Sequence, residues 1–214
     1  MRYITCDHEQ GTPGWFEDRL GRVSGSEVKD VFAQVKVGEA AGRAALRMKK
    51  VLERITRKPL PQGFQETASI AWGKEQEQHA RMAYEMSKGI DIEESGYVYL
   101  PDIQAGCSVD GFIRDGGRVG VFEAKCPDSK THYEYLLTNK VPTNYMRQIV
   151  HNMWVTGASF ADFMSFDPRF PEKLQQLHIR VERDEVVIAE HEAAVLKFLA
   201  EVDAEEQKLR QLAA

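Results

Sequence analysis

Two carboxylates and an ammonium are spaced so that they can act together. Asp110 sits in Ser108-Val109-Asp110-Gly111, and twelve residues, 111 to 122, separate it from Glu123-Ala124-Lys125. Side chains alternate faces along a β-strand, so Glu123 and Lys125 point the same way. If the two segments pair as a hairpin around Asp115-Gly116-Gly117, Asp110 joins them. Hard oxygen ligands at that density suit Mg²⁺ or Mn²⁺, which keep coordination positions open for water and phosphate. A lysine beside such an ion can orient or help deprotonate an attacking water and offset developing negative charge. That chemistry is phosphodiester hydrolysis. The competing reading is an Asp-Gly turn beside a solvated Glu-x-Lys face. The apolar flank Val119, Val121 and Phe122, with Cys126-Pro127 on the other side, makes a solvated charged strand less natural.

The elements that hold this set follow from periodicity. Thr12-Pro13-Gly14 opens a short helix ending near Gly21, and Ser24-Gly-Ser-Glu27 has the capping-box form for a helix to about Gln34. Residues 38–58 carry Ala44, Met48, Val51, Leu52 and Ile55 at helical period, stopped by Pro59 and Pro61. Residues 67–87 read as a long helix closed by Gly89. The period then becomes two, predicting strands over 90–100, 104–114 and 118–125. Helices are expected over 129–139 and 142–156, strands over 158–166 and 177–182, and a last helix over 184–212. No repeat or linker divides the chain, so the economical reading is one α/β domain over residues 1–214.

Composition narrows the function. The chain of 214 residues has 33 acidic and 28 basic residues, a net charge of -5, so any nucleic-acid site must be a local patch. Three cysteines without a C-x-x-C pair argue against a disulfide framework or structural zinc and point to a reducing, cytoplasmic setting. No apolar leader or run of about 18 apolar residues appears, so neither export nor a membrane partner is expected. The six histidines form no i, i+4 ligand pair, and no G-x-S-x-G or P-loop pattern supports an acyl hydrolase or NTPase. One basic patch is evident: Arg43, Arg47, Lys50, Arg54 and Arg57 share a helix face able to follow a duplex backbone, with a solvated amphipathic helix as the equal alternative.

Asp110-x12-Glu123-x-Lys125 resembles the PD-(D/E)xK nuclease superfamily, and its flanks resemble the lambda-exonuclease-like branch of phage and viral alkaline exonucleases. The segments that carry the likeness are 19–27, Ala71-Trp-Gly-Lys-Glu-Gln-Glu77, 107–111, 123–127, Tyr145-Met-Arg-Gln148 and Met153-Trp-Val-Thr156. They stand in family order. Val109 replaces the proline of the superfamily's name, and Asn152 stands where some relatives carry the tyrosine of a Gln-x-x-x-Tyr pattern.

The resemblance implies a restriction-endonuclease-like α/β fold, a central mixed sheet flanked by helices. It further implies a Mg²⁺-dependent exonuclease that degrades the 5'-ended strand of linear duplex DNA and leaves a 3' tail for recombination by strand annealing. In that family pattern Asp110, Glu123, the Ala124 carbonyl and Glu77 would hold one or two Mg²⁺ ions, with Mn²⁺ as an alternative, and Lys125 would position the water. Arg19, Ser26 and Gln148 match positions that grip a 5'-phosphate, which suits Ser26 in the first turn of a capped helix. Ile70 matches a strand-separating wedge. The implied partners are duplex ends, a single-strand annealing protein and two further copies in a homotrimeric ring, in the cytoplasm of a bacterial host. The acidic last helix, with Glu201, Asp203, Glu205 and Glu206, is expected on the outer surface away from DNA. The rival readings are an endonuclease of the same fold and a non-catalytic DNA-end-binding module.

Overall fold

A computed structural model describes residues 3–60 and 67–213. In chain order the elements are β1 (Ile4–Thr5), α1 (Pro13–Asp18), β2 (Val23–Ser24), α2 (Val28–Val31), α3 (Ala41–Thr56) and α4 (Ala68–Lys88). Then come β3 (Ile92–Glu93), β4 (Val98–Tyr99), β5 (Ala105–Cys107), β6 (Gly111–Asp115) and β7 (Arg118–Lys125). The chain continues through α5 (Ser129–Thr138), α6 (Thr143–Thr156), β8 (Phe160–Phe166), β9 (Gln176–Glu182) and α7 (Glu185–Leu212).

The larger sheet has the order β3-β6-β7-β8-β9, with β7 and β8 parallel and the other pairs antiparallel. A parallel pair needs a covered crossover, and α5 and α6 supply it between β7 and β8. All seven residues of β8 are buried, as expected for a strand covered on both faces. The hairpin is as read: Asp115 pairs with Arg118, and Gly116 and Gly117 both have positive φ, at 58° and 79°, the backbone that a two-residue turn of this twist demands. The smaller sheet has the order β1-β4-β5-β2, and one apolar core joins it through α6 and α7 to Val121, Ala161 and Phe163 of the larger sheet. The mixed sheets flanked by helices confirm the expected fold class.

Three segments differ from the sequence reading. The strands predicted over 90–100 and 104–114 are each broken, with β3 and β6 in the larger sheet and β4 and β5 in the smaller. The N-terminal segment sets one break: Cys6 N–H donates to Tyr97 O, and a Cβ on Gly96 would lie 2.1 Å from Cys6 O. The helix expected from Ser24 shortens to α2, because Val23 and Ser24 pair with Ala105 and Gly106. Half of the capping box survives, as Ser24 N–H donates to Glu27 Oε2 at 3.2 Å, while the Ser24 hydroxyl turns to the Tyr97 hydroxyl at 3.4 Å. Ser26 is therefore an exposed turn residue ahead of a four-residue helix, not part of a capped first turn. Pro61 lies outside the described residues; α3 ends at a left-handed Arg57, φ 55°, ahead of Pro59.

The basic face of α3 is also corrected. Arg43 donates to Glu201 at 2.6 and 2.9 Å, Arg47 to Glu205 at 2.8 Å, and Arg54 to Asp203 at 2.5 Å and Glu206 at 3.3 Å. Lys50 is 2 % exposed and lies 2.9 Å from Glu27 and 3.1 Å from Glu53. The acidic side chains of α7 face α3 rather than open solvent; Arg43, Arg47 and Arg54 seal this helix pair, and Lys50 is buried against Glu27 and Glu53, instead of forming an open DNA track. Among the described residues no helix is long and apolar enough to cross a membrane.

Candidate active site

The register of β6 against β7 assembles the predicted set. Gly111 pairs with Phe122, so continuing the antiparallel ladder by one step brings Asp110 opposite Glu123. There β6 has ended, and the Ala124 N–H donates to Asp110 Oδ2 at 2.8 Å instead of to a strand partner. A Cβ on Gly111 would lie 2.1 Å from the Ile92 side chain; the glycine lets β3 close on this end of the sheet.

Glu123 is completely buried. Its carboxylate accepts from Lys125 Nζ, from Gln148 Nε2 at 2.6 Å and from Asn152 Nδ2 at 3.1 Å. Gln148 and Asn152 are four residues apart on α6 and so reach one point from one face. Burial pushes the Glu123 carboxyl up, Lys125 opposes it, and Asp110 and Glu77 push further, leaving it at about 7. Burial pulls the Lys125 ammonium down, but Glu123 and Asp110 outweigh it, so the lysine stays charged. Glu77, from α4, is likewise raised, first by desolvation and then by Asp110.

A cavity of about 450 Å³ opens over these groups, walled by Ile70, Glu77, Asp110, Lys125, Tyr135 and Tyr145. Lys125 Nζ stands 5.3 Å from the Tyr145 ring centroid. Glu77 and Asp110 also wall two neighbouring openings toward Arg81 and Glu94, so the site lies along a groove rather than in a closed hole.

Among the described residues no three His, Cys, Asp or Glu side chains already converge as a ligand set, since Glu123 is engaged by Lys125 and two amides. The donor chemistry nonetheless suits a hard divalent cation. Asp110 raises the proton affinity of both Glu123 and Glu77, and among the described residues Lys125 is the cation that reaches Glu123.

The other predicted residues divide. Arg19 lies over Trp15, 4.1 Å from its ring centroid, and donates from Nη1 to Ser108 Oγ at 3.3 Å, two residues before Asp110. Among the described residues no carboxylate forms an ion pair with it. Ser26 follows Gly25, where a Cβ would lie 2.5 Å from Asn152 Oδ1 and 3.3 Å from Gln148 Cγ, so this turn abuts the two amides. Ile70 lies in the first turn of α4, capped by Thr67, and faces the same cavity as Lys125. Arg43, Arg47 and Arg54 are elsewhere, on the α7 side of α3, and Lys50 is buried against Glu27 and Glu53. Sequence reasoning missed Tyr135 and named Tyr145 and Asn152 without giving either a role. Asn152 was visible as a second amide one helical turn after Gln148; nothing local marked Tyr135.

Residues 14–159 match the YqaJ-like viral recombinase domain. No curated protein matches the sequence. Among solved structures, LHK-Exo in complex with dAMP is 36% identical, with TM-score 0.84, over 94% of this chain and 98% of that one. The alkaline exonuclease LHK-Exo from Laribacter hongkongensis is also 36% identical, with TM-score 0.83 and the same coverage. A phage related exonuclease from Haemophilus somnus 129PT shares 13% identity over 89% of this chain and 96% of that one, and its TM-score of 0.66 speaks for the fold. With this match over more than half its length, the chain belongs to the YqaJ-like viral recombinase family, among the lambda-exonuclease-like nucleases.

Proposed function

We propose that the protein is a Mg²⁺-dependent exonuclease that removes the 5'-ended strand of linear duplex DNA and leaves a 3' tail for recombination. The observation that carries this is Glu123, a completely buried carboxylate held by Lys125 and grouped with Asp110 and Glu77 at the wall of an open groove. Among the described residues Lys125 is the ammonium that pairs with this cluster of three carboxylates, and a divalent cation suits the remaining negative charge. We assign Asp110, Glu123, Glu77 and the Ala124 carbonyl as the groups that would hold one or two Mg²⁺ ions, with Mn²⁺ as a substitute. When bound, the metal supplies Lewis acidity and a water of lowered pKa.

The chain's own residues do the rest. Lys125, charged and fixed against Glu123, orients the water and offsets charge on the phosphoryl oxygens. Gln148 and Asn152 fix the Glu123 carboxylate plane. Arg19, with its guanidinium stacked on Trp15 and Nη1 toward Ser108, receives the 5'-phosphate in our reading, together with Ser26 and Gln148 at the adjoining turn. Ile70, at the mouth of the cavity, separates the strands. We further infer a single nuclease domain that works as a homotrimeric ring in the bacterial cytoplasm and hands its 3' tail to a single-strand annealing protein.

Linear duplex labelled at its 5' or 3' end, digested beside a covalently closed circle with Mg²⁺ or EDTA, tests the reading. Early metal-dependent release of the 5' label with the circle intact is expected. Cutting of the circle replaces the reading with an endonuclease, and inertness toward both substrates under either metal leaves an end-binding module.

A further inference from the structure

Beyond the segment that matches the family, β8 runs out into Asp167-Pro168-Arg169. Asp167 is completely buried and accepts from Ser129 Oγ at 2.7 Å, from the Arg169 backbone N–H at 3.0 Å, and from the Arg169 guanidinium through Nε at 2.7 Å and Nη2 at 2.9 Å. This bidentate grip fixes the guanidinium plane. The same Nη2 reaches Pro127 O at 3.4 Å, two residues past Lys125. The plane lies over Trp72 of α4, 4.2 Å from its ring centroid. The Trp72 Nε1–H is buried without a hydrogen-bond partner, so no hydrogen bond of the indole competes with this stacking.

The location gives the contact a consequence. The first three turns of α4 supply Ile70, Gly73 and Glu77 to the cavity wall, yet no residue of this helix before Gln76 is fully buried. Arg169 thus joins three pieces of the site: the start of α4, the strand end that carries Glu123 and Lys125, and, through Asp167 and Ser129, the start of α5. We propose that Arg169 is a positioning residue that sets the distance of Glu77 from Asp110 and Lys125 by clamping Trp72. The inference rests on the reading of Glu77 as a metal-holding carboxylate. Partners behind metal ligands typically govern 10–100-fold in metal affinity.

The full-length chain, titrated with Mn²⁺ by calorimetry without DNA, tests the clamp. Arg169→Ala should weaken Mn²⁺ binding about tenfold, in the range set by such outer partners, and because it leaves the completely buried Asp167 without its cation the titration is run well below the variant's thermal midpoint. Arg169→Lys, which keeps a cation beside Asp167 but neither the bidentate grip nor the stacked plane, should recover only part of the loss. In a Glu77→Gln background the alanine substitution should change affinity less than about twofold, because contacts acting through one group are not additive. Unchanged Mn²⁺ affinity in Arg169→Ala, or equal losses in both backgrounds, overturns the proposal. If the parent binds no Mn²⁺, the metal reading of the site fails, and amide exchange over residues 70–77 decides the clamp: faster exchange in Arg169→Ala supports it and unchanged exchange overturns it.

Discussion

The helix pair α3/α7 and the end of β7 are both dense in charge, and they balance it in opposite ways. On α3, Lys49 and Lys50 meet Glu27 and Glu53, and Arg43, Arg47 and Arg54 meet the carboxylates of α7. There the Glu27 carboxyl, though burial pushes it up, is held down at about 2 by Lys50 and Lys49. On β7, Glu123 is buried more completely and is pushed up to about 7 despite Lys125, with Asp110 and Glu77 adding to the strain. A charge cluster that closes on itself builds the fold. One that is left a cation short is prepared for something from outside.

The largest test of this contrast removes the lysine paired with Glu123. Lys125→Ala should lower the cleavage rate by roughly 10³-fold or more, about 4 kcal/mol of transition-state stabilisation, with DNA-end binding in EDTA retained in a filter or gel assay. Wild-type rates in that variant would move Lys125 to a structural role. The matching change on α3 should act on stability alone. Lys50→Ala takes the nearest cation from the buried Glu53, leaving Glu27 to Lys49 alone, and should cost about 3 kcal/mol in urea unfolding, with DNA affinity unchanged. A loss of DNA affinity without loss of stability would restore the basic face as a DNA track.

Behind β7 the amide of Asn152 is the next lever. Asn152→Leu removes a donor from the Glu123 carboxylate while keeping the volume, and should weaken Mn²⁺ binding about 10- to 100-fold. Undiminished Mn²⁺ affinity by calorimetry would leave Asn152 as ordinary core.

The two carboxylates also predict opposite pH slopes. Glu27, depressed in the folded state, contributes stability that is present above about 4.5 and is lost as pH falls toward about 2. Glu123, raised from 4.5 to about 7, binds its proton in the folded state when the unfolded chain does not, so stability falls as pH rises through that window. In EDTA at pH 8, Glu123→Gln should therefore be more stable than the parent by roughly 1 kcal/mol. Mg²⁺ should stabilise the parent and not the variant. A variant less stable than the parent at pH 8 would place Glu123 with the self-balanced carboxylates.

The same contrast explains what could be read from the sequence. Asp110, Glu123 and Lys125 were legible because their geometry is local: one two-residue glycine turn and a period of two place Glu123 and Lys125 on β7, with Asp110 one residue ahead of β6. The helices from α3 to α7 were legible within a few residues for the same reason. The α3 stripe misled because its partners lie about 150 residues away on α7, and a helix face carries no mark of what covers it. The broken strands and the shortened α2 failed likewise, since β1 and β2 take partners among residues 98–107. The clamp of Arg169 on Trp72 had no local signal of any kind.

The smallest expected effect sharpens the α3/α7 side. Arg47 and Glu205 are partly exposed, 22% and 42%, with N–O 2.8 Å apart. Exposed pairs of this kind contribute about 0.2–1 kcal/mol. Arg47→Glu alone should cost somewhat more than that, because it sets a carboxylate beside Glu39, Glu201 and Glu205. Adding Glu205→Arg should restore part of the loss, and the coupling should shrink as salt rises and the Debye length contracts. Because charge on this face is exchanged rather than removed, the double variant should keep the parent's DNA affinity. If exchanging the pair leaves stability at the single variant's level while DNA binding falls, the face is working for the ligand and not for the fold.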